Sequence, residues 1–320
     1  MKARHHWAKA TPESLGRSRE CYEQAIALDP GFALAHIGLA EYFLLLTDGA
    51  GLLPAHEGMP LVRACALKAL DLDPLLPEAH AMMGVVAAVY DYDWKNAERL
   101  FRLAMGRDPV PPEVHQWYGH FYLAPMGRPE DAVEELERAL QEDPLNLMFH
   151  LILANCLRVA GRYEDESKEL RRVLELDVNS SAYMMLAQNY AFRGMLTEAL
   201  PLAEKGYFLA PWNRWAIAIF AAVLRRTGDT SRAEEVLQKL RDAPESYGVP
   251  RALCIFHLCC GEIEQAADWA EKSVEQRDSF SPGLLAACRS SPRWPALAKM
   301  MNLPDSARKL HITSVGPRKR

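Results

Sequence analysis

A three-residue tag recurs along the chain and constrains it more than any other feature. It reads LDP at 28–30, LDP at 72–74, RDP at 107–109, EDP at 142–144, LDV at 176–178, LAP at 209–211 and DAP at 242–244. Successive third residues lie 44, 35, 35, 34, 33 and 33 residues apart. Proline disfavours helical backbone in the residue before it, so most of these tags stop a helix. Self-similarity at a period of about 34 residues is the mark of stacked helix–turn–helix units, each too small to bury its apolar face alone.

The interior of each period repeats as well. Eight residues in stands a small residue in most copies: Ala40, Gly84, Gly119, Ala154, Ala187, Ala221 and Cys254. Small side chains there let two helices approach closely. A glycine then marks the turn between the first helix, A, and the second, B: Gly127, Gly161, Gly194, Gly228 and Gly261. The position past a helix end favours positive φ, which glycine adopts without strain. A further small residue opens helix B at Ala97, Ala132, Ala199, Ala233 and Ala266. Three positions depart from the pattern. Glu166 stands where repeat five should carry the small helix-B residue, Val178 replaces the stop proline, and Pro201 lies in the first turns of a helix B. The Gly- and Pro-rich stretch TDGAGLLPAHEGMP at 47–60 reads as an elongated loop between the helices of repeat two.

This multi-position pattern resembles the tetratricopeptide repeat family over residues 1–278. The resemblance implies an all-α, right-handed α-solenoid of about eight repeats: 1–30, 31–74, 75–109, 110–144, 145–178, 179–211, 212–244 and 245–278. Residues 279–304 break the pattern and are expected to form a C-terminal helical cap, because terminal repeats need a different outer face. Residues 305–320 are expected to be a flexible basic tail, with five Lys/Arg against one Asp. Three segments, 3–30, 91–105 and 289–304, are similar to a bacterial subgroup in which such an array follows a winged-helix, kinase or cyclase effector. No such head is expected before His5. The chain also lacks the phosphate-binding glycine motifs and kinase signatures those effectors need.

Composition supports a packed, non-catalytic module. Hydrophobic residues make up 49% and charged residues 25%, as in ordinary globular chains. A net charge of −5 disfavours direct nucleic-acid binding. No run reaches the roughly 18–20 apolar residues of a membrane span. The N-terminus lacks an apolar signal core, so a cytoplasmic location is expected. Seven cysteines without a C-x-x-C pair read as reduced thiols. His36, His80, His115 and His150 recur at the fourth position of helix A. Equivalent positions lie about two interaxial distances of 8–10 Å apart, whereas zinc needs ligand nitrogens at about 2.0–2.1 Å from one point. They read as packing residues, and neither a metal nor a cofactor is expected. His5 and His6 read as a surface pair. No nucleophile elbow or zinc-protease motif is present, so no catalytic residue is assigned.

In the family, helix A lines a concave groove and its second, fifth, ninth and twelfth positions face inward. Carried onto this sequence, the resemblance implies Glu113, Gln116 and His120 in repeat four, and Met148, Asn155 and Arg158 in repeat five. It implies Met184, Gln188 and Phe192 in repeat six, Trp215 and Arg225 in repeat seven, and Arg251 in repeat eight. Arginine and tryptophan are frequent hot-spot residues of interfaces, and the three arginines suit carboxylates. Leu151 stands where arrays that clamp a C-terminal carboxylate carry lysine, which argues against that subtype. The expected function is binding of a protein or peptide segment in the groove. The alternative is the regulatory array of a transcription or signalling protein whose effector is separate or lost. Exposed apolar groove residues would also support self-association.

Overall fold

The computed structural model describes residues 12–49, 51–242, 246–278 and 287–308. Among these residues the chain is helical, with no strand. The helix of repeat one is α1 (Pro12–Leu28). Seven pairs follow: α2 (Ala33–Leu44) and α3 (Ala55–Leu72), α4 (Pro77–Val86) and α5 (Trp94–Met105), α6 (Pro112–Tyr118) and α7 (Pro129–Glu142), α8 (Leu147–Val159) and α9 (Tyr163–Leu176), α10 (Ser180–Phe192) and α11 (Leu196–Leu209), α12 (Arg214–Thr227) and α13 (Thr230–Arg241), α14 (Val249–Cys260) and α15 (Ile263–Glu275). Two short helices, α16 (Trp294–Met300) and α17 (Asp305–Arg308), follow in the cap region. His5, His6 and the PRKR terminus lie outside the described residues. The expected tail begins with a helical turn in which Ala307 is buried.

The tags act through their acidic side chains as well as their prolines. Asp29 Oδ1 accepts from Gly31 N at 3.0 Å, and Asp73 Oδ1 from Leu75 N at 3.0 Å. Such Asx turns lift the chain out of helix B and aim it at the next helix A. Repeat five has Val178 in place of proline, yet α9 still ends at Leu176. There Asn179 caps α10 by accepting from Ala182 N at 3.0 Å. At the A–B turns Gly127, Gly161, Gly194, Gly228 and Gly261 all have φ between 75° and 97°.

The small positions are where the helices touch. Ala40, Ala154, Ala187, Ala221 and Cys254 have no exposed surface. A Cβ on Gly119 would stand 2.7 Å from Leu136 Cδ2 and 3.0 Å from Ala132 O. Two of the four recurrent histidines lock helix A onto the preceding tag: His80 Nε2 lies 2.9 Å from Pro74 O, and His150 Nε2 lies 2.9 Å from Pro144 O.

Repeats two, three and four differ from the rest. Their helix A ends in a wide π turn, at Leu45–Gly49, Ala87–Asp91 and Gly119–Leu123. Such a turn accommodates one extra residue; in repeat four Ala124 N donates to Gly119 O at 3.0 Å. The stretch 47–60 is therefore not the long loop expected from its glycines and prolines. The wide turn takes its first residues, α3 begins at Ala55, and Pro60 lies inside that helix.

The superhelix closes on itself across these wide turns. Arg251 Nη1 donates to Asp48 O at 2.7 Å, Arg214 Nη1 to Gly51 O at 3.0 Å and Tyr247 Oη to Thr47 O at 3.3 Å. One repeat further on, Arg277 Nη1 donates to Tyr90 O at 2.9 Å while its guanidinium lies 4.3 Å from the centre of the Tyr92 ring. The cap completes the seam: Asn302 Nδ2 donates to Tyr92 O at 3.0 Å, Trp94 Nε1 to Met301 O at 2.8 Å and Arg289 Nη2 to Pro125 O at 3.0 Å. The repeats thus wrap through one turn and meet their own beginning.

If the close approach at the small position holds the register, Gly119→Leu should destabilise the fold by about 3 kcal/mol, the upper end of overpacking costs. Denaturant unfolding followed by circular dichroism checks this; an unchanged midpoint would refute the register.

Candidate functional site

The inner wall converges on one cavity of about 220 Å³. Its lining is the regular stripe of each helix A. From α8 come Met148, Leu151, Ile152, Asn155 and Arg158, and from α10 come Ser181, Met185, Gln188 and Phe192. Helix α14 contributes Arg251, Ala252, Ile255 and Leu258. Spacings of three and four residues put each set on one face of its helix. Trp215 and Arg214 enter from the start of α12, His120 from the wide turn of repeat four, and Asp48 and Gly51 from repeat two. The seam that closes the superhelix therefore forms part of the chamber wall.

Of the residues picked from sequence, His120, Asn155, Arg158, Gln188, Phe192, Trp215 and Arg251 come together here, with Met148. Gln116 is buried but is not part of the lining. Met184 is fully buried against Gly206 of α11, and its neighbour Met185 reaches the chamber instead. Glu113 is also outside the lining. Arg225, near the end of α12, turns to Glu262 at 2.5 Å and stays away from the chamber. Sequence counting missed Asp48, Gly51, Arg214 and Ala252, which closure of the superhelix brings in.

The arginines of the wall are engaged with the protein itself. Arg158 Nε donates to Glu166 Oε1 at 2.7 Å, and its terminal nitrogens reach Glu166, the Gln188 side chain and, at 3.2 Å, Met185 O. Asn189 Nδ2 donates to the other Glu166 oxygen at 2.7 Å. This is why repeat five carries a glutamate at its small position: Glu166 has no exposed surface and serves as the counter-charge of Arg158. Burial lifts its carboxyl above the usual range, against the pull of Arg158. Arg251 lies 3.4 Å from Asp278 and 3.9 Å from Asp48. Burial raises Asp278 to about 6, with Arg251 opposing. Burial lowers His120 to about 4 against a nearby Asp48, so its imidazole is neutral at pH 7.

Four of the seven cysteines, Cys156, Cys254, Cys259 and Cys288, are buried, and none forms a disulfide. Burial pushes Cys156 and Cys259 up to about 12, which leaves them as unreactive packing groups. Among the described residues no group of His, Cys, Asp and Glu is arranged to hold a metal ion. No described helix is long and apolar enough to cross a membrane.

The architecture is that of an α-solenoid built from helix–turn–helix repeats. Residues 126–189 match the family model of the tetratricopeptide repeat. It is similar to the transcriptional regulator HilA of Salmonella paratyphi A, at 24% identity over 144 residues, 45% of this chain and 26% of HilA. It is also similar to the TPR repeat-containing protein YpiA of Bacillus subtilis, at 27% identity over 170 residues, 52% of this chain and 38% of YpiA. The match thus spans less than two-fifths of either relative. Among solved structures, the APC/C hetero-tetramer Cut9-Hcn1 contains a chain with the same fold, at a TM-score of 0.56 and 13% identity over 92% of this chain and 54% of that one.

Two outcomes test these electrostatics. Glu166→Gln should cost about 3–5 kcal/mol by stranding a buried guanidinium, while the double change Arg158→Met/Glu166→Leu should recover most of that loss. Urea unfolding of the single and double variants measures both. For Asp278, a folded pKa of about 6 against an ordinary 3.8 means the native state holds the proton more firmly than the unfolded chain. Its ionisation therefore subtracts stability as pH rises from about 4 through about 6. Asp278→Asn removes that cost, so the variant's thermal midpoint relative to the parent's should rise between pH 4.5 and pH 7.5.

Proposed function

We propose that this chain is a non-catalytic scaffold that binds a segment of a partner protein on the concave wall formed by helix A of repeats four to eight. The observation that supports this is the gathering of Asn155, Gln188, Phe192 and Trp215, from three successive repeats, around one chamber. Aromatic anchors with amide donors and acceptors beside them are the usual equipment of a peptide-reading surface. The seam between repeat two and repeats seven and eight limits the length of chain the wall can take while it holds. The residues that do the reading are Asn155, Gln188, Phe192 and Trp215. Arg158 and Arg251 hold the wall in place, and Arg225 stands outside it. Seven unpaired thiols fit action in a reducing cytoplasm.

The similarity to HilA supports a second reading, in which the array is the regulatory part of a signalling or transcription protein and the partner is its effector. Both readings place recognition on the same wall.

Crosslinking capture from the native cell lysate tests the proposal. Arg158 is unsuited to the test because its loss strands Glu166. Trp215→Glu is suitable, since this side chain is only partly buried. A partner retained by the parent and by Arg225→Ala, but lost by a folded Trp215→Glu protein, is the expected result. Equal recovery by all three would move the partner site off the inner wall.

A further inference from the structure

We propose that the chamber is also a binding site for a small, free, uncharged molecule with an apolar body and a hydroxyl group. The inference goes beyond the partner-binding reading; it shares that wall, and its test is separate.

Charge is the first argument. Arg158, Arg214 and Arg251 line the chamber, and Glu166, Asp48 and Asp278 stand with them. Three cations thus meet three carboxylates. Arg158 spends its guanidinium on Glu166, Gln188 and Met185, and Arg214 donates to the Gly51 carbonyl. A charged ligand would enter a wall already neutralised, and would shed its hydration without gaining a counter-ion.

Unspent hydrogen-bonding capacity is the second. His120 is about nineteen-twentieths buried, and its Nδ1 has no hydrogen-bond partner within the protein. Asn155 Oδ1 is likewise without one. Both side chains line the chamber. Unpaired buried polar atoms cost stability, and a ligand that pairs them recovers that cost. A neutral imidazole offers one donor and one acceptor, and a hydroxyl can answer either.

Size and surface are the third. About 220 Å³ lies below the roughly 300–1,000 Å³ of pockets that take drug-sized ligands, so the occupant is smaller than those. Met148, Leu151, Ile152, Met185, Phe192 and Ile255 give it an apolar bed. A tyrosine side chain of a partner segment shares this chemistry. A free molecule is favoured because the seam at Asp48 and Gly51 closes one side of the chamber.

Isothermal titration calorimetry on the full chain tests the proposal with three near-isosteric phenols: 4-ethylphenol, 4-hydroxyphenylacetate and tyramine. A capped tripeptide with a central tyrosine provides the peptide arm. The expected result is saturable binding of 4-ethylphenol, and at least tenfold weaker binding of the anion, the cation and the tripeptide. Ala252→Phe and Ser181→Trp fill the chamber from two different helices, and whichever of them keeps the parent's helical unfolding transition should lose 4-ethylphenol binding. The proposal is overturned by any of four results: no saturable binding of 4-ethylphenol, equal affinity for a charged analogue, tighter binding of the tripeptide, or binding retained in a folded, filled variant. Partner capture is scored without any phenol present, so failure here leaves the scaffold reading standing.

Discussion

The seven described helix pairs meet at a small residue of helix A, alanine or glycine in six and Cys254 in the last, and the rest of the structure depends on that approach. At Gly119 even a methyl group would stand 2.7 Å from Leu136. Close contact at this point sets the spacing of A against B, and tag geometry then sets B against the next A. Small constant increments accumulate into a superhelix whose inner surface is made mainly of helix A. The chamber is the inside of that accumulation. Its lining residues come at three- and four-residue spacing because only one stripe of each helix A can face inward.

Repeat five breaks the rule at the centre of the wall and shows what the rule protects. A glutamate in place of alanine at the A–B contact would be ruinous alone, since a buried carboxylate without a partner is costly. Here Arg158, eight residues earlier, reaches back from helix A to meet it, and Asn189 and Gln188 of the next repeat hold the remaining hydrogen bonds. Packing between repeats five and six is thereby exchanged for a polar joint. Its arginine faces the chamber while its charge stays at home.

Much of this was legible in the sequence. The tags, turn glycines and small positions lie within one period, so their spacing reports the local geometry directly. Glu166 was visible as a departure, and a charge at a packing position asks for an opposite charge nearby. The three longest intervals between tags, 44, 35 and 35, belong to the repeats that carry wide turns, so the insertion left a trace that simple counting did not interpret. Along α8 the counted positions Met148, Asn155 and Arg158 all line the chamber. At the end of α12 the count failed: Arg225 stands about three turns past Trp215, the last α12 residue of the wall, and pairs with Glu262 at the start of α15 instead.

Closure of the superhelix was not legible, for a physical reason. Its hydrogen bonds join residues 163 to 210 positions apart, and every acceptor among them is a backbone carbonyl. A carbonyl has no residue identity, so the acceptor side of the seam carries no sequence signal. The donors, four arginines with a tyrosine, a tryptophan and an asparagine, look like ordinary surface residues until the turn is complete. Carbonyls near the ends of these first helices have no further helical turn to pair with, and the last repeat and the cap supply that pairing. An open solenoid sums nearest-neighbour terms. This one adds a term joining its two ends, so strain at the Asp48–Arg251 contact is felt both in the seam and in the chamber that the same residues line.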